Sequence, residues 1–184
     1  MEYESWRLDL AMDRVLSLGQ IRRRYLPSTS EAAVRVQVIR LAAAGHLVAW
    51  SEWVPLTARA RVVRFVTFVG LTRVAVVPAA LRHLCGVAEM RWRLRHVVHA
   101  WDASDAAVLQ EGAQPDALAE DRHGCLAVEY DAGAYSAEQV LRKTQTFRAL
   151  YGRQVWGAPH RARQQWLRTH LPSGVDVLLA PWWS

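Results

Sequence analysis

Cysteine is scarce in this 184-residue chain: Cys85 and Cys125 lie far apart with no CxxC spacing. That argues against a zinc finger or a disulfide scaffold and makes a reducing cytoplasm the default compartment. Lysine is nearly missing, since every basic residue but Lys143 is arginine. There is no glycine-rich phosphate-binding loop, and His96, His99, His123, His160 and His170 form no activating pattern with a nucleophile, which gives little support to Ser/His/Asp or Cys/His catalysis. Long apolar runs are lacking too. The most apolar stretch, Val62 to Leu81, is broken by Arg64 and Arg73, and the first residues are acidic with no apolar core of a leader. Neither a membrane span nor a signal peptide is expected.

What is present is a globular composition, 52% hydrophobic and 22% charged, with nine tryptophans. The net charge of +6 is unevenly placed. Residues 1–96 carry 15 arginines against 7 acids, a balance of +8, and the remainder balances at −2. A basic front half suggests a polyanionic partner, with nucleic acid the usual candidate, although a solvated arginine-rich surface would give the same count.

Apolar residues from Trp6 to Leu18 recur at roughly helical spacing, with Gly19 as the expected stop. A short second helix is expected over Gln20 to Leu26, ended by Pro27, and a third is expected to be capped by Ser30, with Val34, Val38 and Leu41 on its apolar stripe. Leu47 to Val54 and Val62 to Val69 read as two strands joined by a turn. Helix, helix, turn, helix and two-stranded wing is the order of a winged helix-turn-helix, which would place its third helix in the DNA major groove and its wing on phosphates. The DNA-binding residues expected on this reading are Arg22, Arg23, Arg24, Arg35, Gln37, Arg40, Arg59, Arg61 and Arg64. Val74 to Cys85 is expected to be helical, and Met90 to Arg95 a basic strand or linker.

In the second half, His96 to Leu109 reads as a helix. A Pro115-Asp116 turn and the strand Cys125 to Asp131 then form a hairpin with carboxylates at its ends, and Ser136 opens a helix with Val140, Leu141, Phe147 and Leu150 on one face. A strand near Arg153, a helix over Arg161 to His170 and a closing strand at Val175 to Leu179 follow. This α/β order suits a restriction-nuclease-like core of the PD-(D/E)xK type. In such a core Asp116 and Glu129 would hold Mg²⁺ or Mn²⁺, with Asp131 and Lys143 completing the catalytic set. The usual acid-x-Lys ending is Glu129-Tyr130-Asp131 here, and the lysine is displaced to the following helix. Turn chemistry for Asp116 and strand-end solvation for Glu129 and Asp131 are the plainer reading.

Taken in order, the arginine-rich third helix, Leu71-Thr72-Arg73, His96, Pro115-Asp116-Ala117, Glu129-Tyr130-Asp131 with Gly133, and Lys143 ahead of an aromatic make the chain resemble the bacterial replication-relaxation family of plasmids and mobile elements. The resemblance implies a DNA-binding winged helix joined to a nuclease-like domain, with a role in plasmid replication or relaxation. The expected fold is α/β, α+β overall, with a winged helix over 1–86, a linker over 87–95 and the core over 96–184. The leading expectation is a DNA-binding protein of the nucleoid, serving replication, maintenance or regulation. A homodimer reading two half-sites is one expectation for its assembly. The alternatives are a Mg²⁺- or Mn²⁺-dependent DNA nickase, and a protein-interaction module exposing Trp50, Trp53, Trp182 and Trp183.

Overall fold

The computed structural model describes residues 2–103 and 114–183. The chain is mixed α/β and divides into two units: one runs to Ala88 and takes in Trp182 and Trp183, and the other spans Glu89–Pro181.

The first unit begins with α1 (Glu2–Asp13), which ends where Arg14 adopts a left-handed φ of 66°. The helix expected to continue to Leu18 stops here because a new one is nucleated. Ser17, the last residue of the two-residue strand β1 (Leu16–Ser17), caps α2 (Leu18–Tyr25). Its hydroxyl accepts from the Gln20 N–H while Gln20 Oε1 accepts from the Ser17 N–H. This reciprocal capping box satisfies two donors of the first turn and outweighs the stop signal of Gly19, which sits inside α2. Ser30 caps α3 (Glu31–Ala43) as expected. The strands β2 (Val48–Pro55) and β3 (Val63–Gly70) form an antiparallel ribbon, and β1 pairs with the other side of β3 to give the order β1-β3-β2.

Trp6, Leu10, Leu16, Ile21, Val34, Val38 and Val69 form the core beneath this sheet. Ser17 Oγ also donates to the Trp182 carbonyl at 2.6 Å, and the Trp182 ring stacks on Phe68 at 6.2 Å, so Trp182 packs into this unit. Trp182 is therefore buried and cannot belong to an exposed tryptophan surface; Trp50 and Trp183 are half-buried, and Trp53 alone of that set is open to solvent. At the end of β3, Gly70 lies so close to the Thr72 and Arg14 carbonyls that a Cβ would meet them at 2.7 and 2.9 Å. Only glycine allows that approach.

The segment 87–95, expected as a linker, is instead the second half of α4 (Pro78–Leu94). Val87, Ala88, Glu89 and Met90 are buried, and burial of four consecutive helical residues is incompatible with a linker's exposed backbone. The helix starts four residues later than expected because Pro78, which lacks an N–H, suits the first helical position.

The second unit holds a five-stranded sheet of order β4-β5-β6-β7-β8. Its first strand, β4 (Val98–Asp102), falls where a helix was expected; Trp101 pairs with Ala119 across the ladder to β5 (Ala117–Asp121), and this pairing decides for strand. The rest of that expected helix, residues 104–109, lies outside the described residues. β5 and β6 (Gly124–Tyr130) make an antiparallel hairpin. α5 (Ala137–Tyr151) then crosses to β7 (Gln154–Ala158), and α6 (Arg161–His170) to β8 (Asp176–Leu179), both strands parallel to β6. β6 is central and buried over its last five residues. Val140, Phe147, Trp156, Leu167 and Val177 pack around it, and Met90 of α4 lies so close to Gly157 that a Cβ there would collide with it.

Candidate functional site

Two clusters of chemistry stand out, one in each unit. In the first unit, arginines gather on α3 and on the β2–β3 ribbon. Arg35 and Arg40 are exposed on α3, and Gln37 is half-buried between them. Arg59, Arg61 and Arg64 are exposed around the ribbon tip. Arg35 is the link between these elements: its Nη1 donates to Thr67 Oγ1 of β3 at 2.9 Å and its Nη2 to Glu31 Oε1 at 3.2 Å.

The α2 arginines separate from this group. Arg22 and Arg23 are half-buried, and Arg24, expected among the DNA contacts, is buried. Its Nη1 pairs with Asp13 at 3.1 Å and its Nη2 donates to the Ala88 carbonyl at 2.7 Å. A guanidinium so engaged is a structural tie and is not available to a phosphate.

In the second unit the centre is Glu129 on β6, with no exposed side-chain surface. Its Oε1 accepts from Lys143 Nζ and from the Tyr135 hydroxyl, each at 2.7 Å. Its Oε2 is buried with no hydrogen-bond partner among the described residues. Lys143 reaches inward because it shares the buried face of α5 with Val140, Thr144 and Phe147. Leu141 and Leu150, expected on that face, are exposed. The ammonium also donates to the Gln114 carbonyl at 3.3 Å and lies about 5 Å from the Tyr135 and Phe147 rings.

Asp116, just before β5, accepts from the Tyr130 N–H at 2.6 Å, so it sits beside the same strand end. Burial pushes the Glu129 carboxyl up to about 8, and the Asp116 charge adds to this, against the pull of Lys143 and Tyr135. Burial and the neighbouring carboxylates push the Tyr135 phenol up as well, so it stays a proton donor.

Asp131 takes a different course. Its Oδ1 accepts from the Gly133 and Ala134 N–H groups at 2.7 and 3.1 Å, closing the turn after β6. Its Oδ2 accepts from both Nε and Nη2 of Arg163 on α6. Arg163 Nη2 also donates to the Tyr135 carbonyl, and its guanidinium lies 3.7 Å from the Trp166 ring centre.

The replication-relaxation family model matches residues 67–163, just over half of the chain. The chain belongs to the replication-relaxation family. No curated protein and no solved structure matches it. Membership suggests a role in replication or other DNA transactions. The family match begins within β3 and contains Asp116, Glu129, Tyr135, Lys143 and Arg163, whereas α1, α2 and α3 lie outside it.

In this replication-relaxation protein, then, Asp116, Glu129 and Lys143 lie together at one strand end, and Asp131 is drawn off to Arg163. Tyr135 and Arg163 are the members that sequence reasoning missed. Arg163 meets its partner 32 residues away across one helix and one strand, and no local pattern announces such a pair. Among the described residues no three His, Cys, Asp or Glu side chains converge as metal ligands. Asp116 and Glu129, with the Lys143 ammonium already on Glu129, do not by themselves fit the octahedral oxygen cage of Mg²⁺. No described helix is long and apolar enough to cross a membrane.

Proposed function

We propose that this replication-relaxation protein is a DNA-binding protein that acts in replication or maintenance of a plasmid or mobile element. In this reading the first unit is a winged helix-turn-helix and the second is a nuclease-like core serving as a scaffold. The observation that carries it is the set of exposed arginines, Arg35 and Arg40 on α3 and Arg59, Arg61 and Arg64 at the tip of the ribbon, on two elements tied together by Arg35 and Thr67. The element order and the sheet order β1-β3-β2 support the winged-helix reading. Arginines placed in this way neutralise phosphates and release counterions, which makes binding steeply salt-dependent.

The test is a gel-shift titration across salt with wild type and the triple variant Arg59→Ala, Arg61→Ala, Arg64→Ala. Each lost phosphate contact lowers the log–log salt slope by about 0.9, so the triple variant is expected to lose a slope of about 3. An unchanged slope rejects the ribbon as a DNA contact.

The unpartnered Oε2 of buried Glu129 favours a second reading, a Mg²⁺- or Mn²⁺-dependent nickase in which Asp116 and Glu129 gain ligands when DNA is bound. Supercoiled plasmid incubated with either metal separates the two. Nicking that is lost in Asp116→Asn and in chelator supports the nickase; a shifted but uncut plasmid supports the scaffold.

A further inference from the structure

The outward face of the ribbon is aromatic where a solvated wing would be polar. Trp53 and Phe65 pair directly across the strands with ring centres 5.2 Å apart, and they are 59% and 60% exposed. Pro55 and Val63 continue the same face toward the tip, and Val62 beside them is 72% exposed. At the inner end Ser51 and Thr67 share a hydrogen bond, and Arg35 reaches over from α3 to Thr67. Arg59 and Arg61 stand at the tip, so the aromatic pair lies between guanidinium groups at both ends. The opposite face of the same ribbon turns Val54 and Phe68 into the interior, so the hairpin does not need Trp53 and Phe65 for its core.

We infer that Trp53 and Phe65 form a stacking platform for unpaired bases of DNA, with Arg35, Arg59 and Arg61 holding the flanking phosphates. This rests on the DNA-binding reading and adds to it the class of DNA preferred. A duplex hides its base faces in the helical stack and offers an arginine surface only phosphates and groove edges. Unpaired bases expose flat faces that exposed tryptophan and phenylalanine rings can cover, while nearby arginines take the backbone. The charge argues for nucleic acid over a protein partner, because residues 31–73 carry six arginines against two acids. Size argues the same way. Five apolar side chains on one ribbon and its tip fall well short of the roughly 20–30 residues a side that a stable protein interface uses.

The experiment is a fluorescence-anisotropy titration of the full chain with three labelled DNAs: a duplex, the same duplex with a central unpaired bubble, and its single strand. Wild type is compared with Trp53→Ala/Phe65→Ala and with the aromatic-preserving Trp53→Phe/Phe65→Tyr. Stacking one base on an aromatic side chain corresponds to about a 5- to 150-fold change in affinity. Wild type is therefore expected to prefer the bubble to the duplex by about tenfold or more. The alanine pair should lose that preference and keep its duplex affinity, and the aromatic pair should keep both. Both side chains are exposed, and circular dichroism checks that the variants fold.

Equal wild-type affinity for bubble and duplex overturns the platform alone, and so does an equal loss on both DNAs in the alanine pair. A wild-type dimer that becomes a monomer in the alanine pair overturns it in favour of a second copy covering the patch. Failure of wild type to bind any of the three DNAs removes the DNA-binding reading itself.

Discussion

Replacing Glu129 by glutamine asks whether the fold holds this side chain as an acid or as a carboxylate. Burial first, and then the Asp116 charge, raise its pKa from the ordinary 4.5 to about 8, against the opposing pull of Lys143 and Tyr135. A carboxyl raised in the fold keeps its proton after the unfolded chain has released it. The unfolded state then binds fewer protons than the native one, and stability falls as pH rises. The window runs from 4.5 to about 8. At about 1.4 kcal/mol per pKa unit, Glu129 is expected to withdraw a few kcal/mol of stability across it. Urea unfolding followed by tryptophan fluorescence at about pH 5 and about pH 8 measures this as a falling midpoint. Glu129→Gln cannot ionise and is expected to lose that slope. Because the Lys143 ammonium then faces an amide, the readout is the difference in slope between the two proteins, in which the histidines common to both cancel. A wild-type stability that rises with pH relative to Glu129→Gln would refute the reasoning. It would mean that the 2.7 Å pair with Lys143 outweighs burial and keeps Glu129 ionised.

Other perturbations bear on the frame around the two sites. Arg24→Met leaves buried Asp13 without its guanidinium and is expected to cost about 3–5 kcal/mol, read as a lower urea midpoint of the first unit. Asp121 is held well below the usual carboxylate range by its bidentate pair with Arg153, so its contribution is present above its ordinary pKa and is lost as pH falls below it. Asp121→Asn should therefore lower the melting temperature at neutral pH and narrow the gap to wild type in acid, as differential scanning calorimetry can show. Gly157→Ala drives a methyl into Met90 and is expected to destabilise by about 1–3 kcal/mol, with partial rescue by a smaller residue at position 90. Asp131→Asn keeps an oxygen for the Gly133 and Ala134 N–H groups but removes the charge facing Arg163. It should unfold earlier than wild type and later than Asp131→Ala.

Much of this fold is legible wherever one local rule acts alone. The Ser30 cap of α3, the ribbon, the β5–β6 hairpin and α6 follow from caps and periodicity. Reading fails where two local signals compete or where a partner is distant. Gly19 looks like a stop, but Ser17 and Gln20 three residues apart make a stronger start. Residues 98–102 have apolar spacing that suits a helix or a strand, and the ladder to β5 decides between them. Arg91, Arg93 and Arg95 alternate as if on a strand, although the first two lie in a helix whose other face is buried. At the acidic site, Lys143 was legible as an inward group in one respect: it stands three residues after Val140 and four before Phe147, on the stripe that α5 buries. Arg24 gave no such sign, because its partners Asp13 and Ala88 belong to other elements.

Glu129 and Asp131 stand two positions apart, and strand periodicity would put both on one face as a single pair of carboxylates. The strand ends at Tyr130, one residue too soon for that. Asp131 falls in the turn, where a short side chain can fold back onto the N–H groups two and three residues ahead, and it does so with Oδ1. Its second oxygen is then fixed toward Arg163, which draws α6 onto the turn and leaves Asp131 no free direction toward Glu129. Glu129, still in the strand, meets Lys143 and Tyr135 instead. Tyr135 joins the two arrangements, since its hydroxyl donates to Glu129 and its carbonyl accepts from Arg163. A change in the protonation of Glu129 is therefore felt at the Lys143 ammonium and the Tyr135 hydroxyl alike, and only Tyr135 carries it, through its own backbone carbonyl, to the contact that positions α6.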